Sequence, residues 1–204
     1  MTPFILPPLK DNSIDLLDAL HALAFMGDLS MGQPTDHSTR VAMLSSKLAQ
    51  HLGLDEVHQE FIEQVALLRW SGCTANAMEV SSVISDDVEG RAAMLAMQFE
   101  RISILVAPEF VHDQVARIAA IHCEVSSLIA QLMQLNQEVI KALTCVFEHW
   151  DGSGAPRGYF GQEIPLSAQI VAVVSEFEIF SRNFGTEKAK LGCFCTNGAK
   201  VPQN

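Results

Sequence analysis

Basic residues are few. Thirteen Lys and Arg face 24 Asp and Glu, a net charge of −11 and a pI near 4.9. So acidic a surface repels phosphate backbones and anionic lipid, which argues against nucleic acid or a membrane surface as a direct partner. Aromatics other than Phe are scarce, with two Trp and one Tyr. Nothing in the sequence reads as a bilayer-spanning run, and the opening MTPFILPPLKDNS is broken by prolines and lacks a basic start. With no export signal read there, a cytoplasmic protein is expected. Cys73, Cys123, Cys145, Cys193 and Cys195 are odd in number and contain no CxxC pair. They read as reduced thiols and not as a zinc site.

Alternating apolar and polar residues, the mark of half-buried strands, are nearly missing. What is present is helix after helix. The hydrophobic share is 49% in 204 residues, ample for one core. Ser13 reads as the N-cap of a first helix, and a second begins near Asp36 and ends at Gly53. A third covers LDEVHQEFIEQVALLRW, with acids in its first turn, and TANAMEVSSVI forms a short fourth. DDVEGRAAMLAMQFERISILVA reads as one longer helix ended by Pro108, its Met94 and Met97 packing in the core. Two more follow, the second capped by Asn136, and a last helix begins after Pro165. The expected fold is all-α, seven or eight helices in one bundle-like domain over residues 13–184. Residues 1–12 form an extension, and a loose tail runs over 185–204, where apolar periodicity fades.

One segment departs from this pattern. EHWDGSGAPRGYFGQEIPLSAQIVAVVSEFE is rich in glycine and proline before it becomes helical. It lacks GxxxxGK[ST] and no strand precedes it, so phosphate cradling is not its reading. Trp150, Asp151, Gly152, Ser153, Gly154, Pro156, Gly158, Gly161, Ile164, Pro165 and Leu166 resemble the C-terminal signature of HD-GYP domains, with Ala155 where their tyrosine stands. HSTRVAMLSSKLAQHLGL resembles that family's first-histidine helix. The resemblance spans about residues 14–184. It implies a helical fold and metal-dependent hydrolysis of cyclic di-nucleotides, in which bridged metals activate a hydroxide.

Carried over position by position, the resemblance places metal ligands at His37 and His122. It places Gln33, Arg69, Trp70, Val146, Phe147 and Ser175 where other ligands belong, and Cys73 where a lysine belongs. Two imidazoles do not hold a dinuclear centre. The expectation is therefore an inactive signalling module that binds a small ligand or a protein, a second copy of the chain included, with no metal or other cofactor. The alternative is a hydrolase with a rebuilt site, using Glu148, His149 and Asp151, or His37 with His122. A third arrangement pairs Arg69 with Arg157 as phosphate contacts. Each residue also has a plainer reading. His37 bonds Gln33 or Asp36 at a helix start, and His122 is a satisfied core histidine. Asp151 caps a turn, Arg157 is a solvated loop arginine, and Glu148 and His149, adjacent on a helix, do not face each other.

Overall fold

The computed structural model describes residues 14–84 and 86–190. Asp15, not Ser13, caps α1 (Leu16–Ser30), its carboxylate accepting from Leu17 N; Ser13 lies outside the described residues. After a turn through Gly32 comes α2 (His37–His51), closed by Gly53 at φ 80°. Asp55 caps α3 (Glu56–Leu68). Val65, Ala66, Leu67 and Leu68 are consecutive and all buried, the signature of a helix with neighbours on every side. They meet Leu20 of α1, Val41 of α2, Val139 and Leu143 of α7 (Gln137–Leu143) and Val171 of α8 (Leu166–Phe184) in one continuous core.

The second half departs most from the sequence expectation. The long helix foreseen before Pro108 is split. α4 (Ala77–Val83) leads to α5 (Asp87–Leu95), which stops where Met97 takes φ 58°. A short 3-10 turn (Phe99–Arg101) follows, and Ile104 pairs with Ile84 in an isolated bridge. Pro108 therefore starts α6 (Pro108–Leu132) and does not end its predecessor; at the first helical position its missing N–H costs nothing. Met97 lies outside α5 and Met94 is half exposed, so neither is a core residue. By length and composition α6 could cross a membrane, contrary to the expectation of no such segment. Here it packs on α4 and α7 and buries the polar His122 and Ser126.

Asn136 caps α7 as expected, but the helix ends at Leu143, and turns carry the chain into the glycine-rich loop. Past Gly185, residues 186–190 are helical and Ala189 is fully buried. The described chain is thus packed beyond the boundary expected for a loose tail, and the rest of that tail lies outside the described residues. The described residues form the eight α-helices α1–α8 and the helical segment 186–190, with no strand among them beyond isolated bridges. The all-α class is as expected.

Candidate functional site

The first ring of α2 begins the site. His37 is fully buried, and its Nδ1–H donates to Glu178 Oε2 of α8 at 2.6 Å, not to Gln33 or Asp36. Arg40, one turn on, donates to Glu178 Oε1 through Nε (2.9 Å) and Nη2 (2.5 Å) and also pairs with Asp36. Burial opposes ionisation of Glu178, but the bonds and charges of His37 and Arg40 outweigh it and hold the carboxyl near 2. Next to this pair, Asp28 of α1 is fully buried and accepts from Ser38 N and Ser38 Oγ (2.6 Å). Burial raises its pKa despite those bonds. Gln33 accepts from Arg182 of α8 and does not reach His37. Asp28 and Glu178 were missed in the sequence; an acid on an otherwise apolar helix face was the available signal for Glu178.

The second centre lies where α3 ends against α6. His122 Nε2–H donates to Arg69 O at 2.7 Å, and Cys73 Sγ lies 3.6 Å from Nδ1. Burial pulls the imidazole down to about 4 and pushes the Cys73 thiol up to about 12. The ring is therefore neutral at pH 7, and the S–H donates to its free Nδ1. Phe147 packs edge-on against His122, with centroids 4.8 Å apart, and the buried Trp70 touches both. Arg69, also buried, lies over the Trp70 ring at 4.8 Å, and burial lowers its guanidinium to about 10. Gly72 permits this packing: a Cβ there would meet His122 O at 2.3 Å.

The glycine-rich loop is organised by Glu148. Its buried carboxylate accepts from Arg157 N (2.8 Å) and Tyr159 N (3.0 Å), holding two strands of the loop together. Asp151 accepts from Ser153 N and Ser153 Oγ, the expected turn cap, and His149 contacts the same hydroxyl at 3.1 Å. Arg157 is exposed against Tyr159. Asp151 and His149 thus meet at the Ser153 hydroxyl, while Glu148 is taken up by two backbone N–H groups of the loop. Arg69 is buried over the Trp70 ring, and Arg157 is exposed on the loop against Tyr159.

Among the described residues no three His, Cys, Asp or Glu side chains are placed to hold a metal ion. His122 has both ring nitrogens engaged, and His37, whose Nε2 has no partner, is a single imidazole, so the donor set does not fit the metal centre of several ligands that the resemblance implies. Instead a groove of about 360 Å³ opens beside Trp70, His122 and Phe147, walled by Met31, Val80, Val83 and Ile118. Its polar floor includes Arg91 of α5. That buried guanidinium donates through Nη2 to Asn76 Oδ1 (2.8 Å) and Cys73 O (3.1 Å). Arg91 was not foreseen from the sequence, because nothing local marks a helix arginine as buried.

Comparison with known proteins agrees with this scaffold. The model of the HD domain family matches residues 86–192. A 3'3'-cGAMP-specific phosphodiesterase 3 of Vibrio cholerae is 21% identical over 200 residues, covering 87% of this chain and 44% of the relative. A cyclic di-GMP phosphodiesterase of Thermotoga maritima is 28% identical over 174 residues, covering 83% of this chain and 39% of the relative. A crystal structure of a cyclic GMP-AMP-specific phosphodiesterase from V. cholerae superposes with a TM-score of 0.69 at 19% identity. That match covers 90% of this chain and 45% of the other. The chain spans less than half the length of these relatives.

Proposed function

The chain belongs to the HD domain family, and from that premise we propose that it is a binding module with a phosphodiesterase-type helical scaffold, regulatory and not hydrolytic. The observation that carries this reading is the wiring of His122. Both ring nitrogens are engaged, by Arg69 O and by Cys73 Sγ, and Trp70 and Phe147 close around the ring. A metal-activated hydroxide needs several hard or borderline ligands within a few Å. Here a cation, an indole and a phenyl ring stand in that region. An indole and a phenyl favour apolar contacts and exclude ordered water.

The comparisons lean toward the hydrolase alternative, since both relatives are phosphodiesterases by name. Within this chain that reading rests on the buried His37–Glu178 pair, whose His37 Nε2 has no hydrogen-bond partner. One experiment separates the two. The full chain, supplied with Mn²⁺ or Fe²⁺, is incubated with 3'3'-cGAMP and with cyclic di-GMP, and linear products are quantified. The binding-module reading predicts no product above the protein-free control. Turnover lost in His37→Ala would establish the hydrolase.

A further inference from the structure

We propose that the groove beside Trp70 is a binding site for a small, mainly hydrocarbon acid: an apolar body with one carboxylate-type head. This rests on the binding-module reading and specifies its ligand. At about 360 Å³ the groove falls within the range of small-molecule pockets, roughly 300–1,000 Å³. Its wall is almost wholly apolar, from Met31, Val80, Val83, Ile118 and Phe147, so a polyhydroxylated or multiply charged ligand would leave its polar groups unpaired there.

Two buried donors among the lining residues set the head group. Trp70 is 5% exposed, and its Nε1–H has no acceptor. Arg91 is 4% exposed, and its Nε–H also lacks an acceptor. Around its guanidinium, the groups within hydrogen-bonding reach are neutral: Cys73 O, Asn76 Oδ1 and Met31 Sδ. The nearest carboxylate, that of Asp87, is 3.7 Å from Nε, longer than a hydrogen bond. A buried arginine whose hydrogen bonds go to neutral acceptors and whose ion-pair partner Asp87 stands 3.7 Å off, in a groove also lined by an indole N–H with no acceptor, favours an anionic acceptor and rejects a cation. His122, neutral and fully engaged, adds no competing charge.

The test is calorimetric titration of the full chain at pH 7 with decanoate, 2-naphthoate and decyltrimethylammonium, each below its micelle concentration. At least one of the two acids is expected to bind with one-to-one stoichiometry, and the cation is not; which acid binds more tightly distinguishes an alkyl from an aromatic body. Trp70→Phe, which keeps a ring and removes the N–H, should weaken the acid roughly tenfold or more. Ala119→Leu, at the buried wall of the groove, should weaken acid and any other occupant alike. Circular dichroism checks that each variant is folded; should Trp70→Phe not fold, Arg91→Lys, which keeps the charge but loses the planar fork, takes its place with the same expected weakening. Failure of both acids to bind, equal binding of the cation, or undiminished acid binding in the folded variants overturns the assignment. The readout involves no metal and no cleavage, so a failure here leaves the hydrolysis assay free to judge the binding-module reading separately.

Discussion

At the scale of single residues, two buried groups make stability depend on pH in separate windows. His122 is held near 4 by burial, against an ordinary value of 6.5. The unfolded chain therefore binds the extra proton first, and stability present above pH 6.5 is lost as pH falls toward 4. Glu178, held near 2, contributes stability that is present above about pH 4.5 and is lost on further acidification. Urea midpoints measured from pH 8 to 2.5 should show His122→Gln with a flatter slope between pH 6.5 and 4. Glu178→Gln should lower stability at pH 7 and converge toward wild type below pH 4. Identical slopes in wild type and both variants would remove these groups from the account. Trp70→Ala should cost on the order of 3–5 kcal/mol, because a buried aromatic side chain at an aromatic junction is removed.

At the scale of elements, close approaches and loop clamps decide the geometry. The turn after α3 comes so near α6 that a Cβ at Gly72 would overlap His122 O and crowd Ser126 Oγ. Gly72→Ala should therefore destabilise by about 1–3 kcal/mol, read from denaturant unfolding, and should disturb the His122–Arg69 bond. Glu148→Ala strands the N–H groups of Arg157 and Tyr159; charged hydrogen bonds of this kind are worth roughly 1.5–3 kcal/mol each, before solvent compensates. Limited proteolysis should then cut within residues 151–160 before the helices open. An unchanged digestion pattern would mean that the loop is held by something other than Glu148.

The elements also differ in how legible they were. The cap at Asn136 and the apolar run of α3 could be read directly, because each depends on neighbours within a few residues. The break after α5 could not. Residues 86–107 carry a continuous helical pattern, yet the chain turns at Met97 so that Leu105 N can reach Val83 O, a contact made only in the folded state. The same limit applies to the site. The family resemblance singled out Arg69, Trp70 and Phe147 in advance, and Trp70 and Phe147 do pack around His122, with Arg69 over the Trp70 ring. The partners that now engage His37 and His122 come from α8 and from the α3 turn, 141 and 53 residues away in the chain, and no local signal announces them.

For the whole molecule, the fold is that of an HD domain, and its packing extends past Gly185. Ala189 is fully buried, so a chain ending at residue 185 should melt below one ending at residue 190; equal midpoints would show that the last helical turn contributes nothing. The central claim is that the helical scaffold persists while its core no longer gathers metal ligands. Equilibrium titration of the metal-stripped full chain with Mn²⁺ and Fe²⁺ at pH 7.5, followed by elemental analysis after desalting, tests it most directly. Substoichiometric, weakly held metal that is unaffected by His37→Ala or His122→Ala is the predicted result. One or two tightly held ions per chain, lost in those same variants, would contradict it.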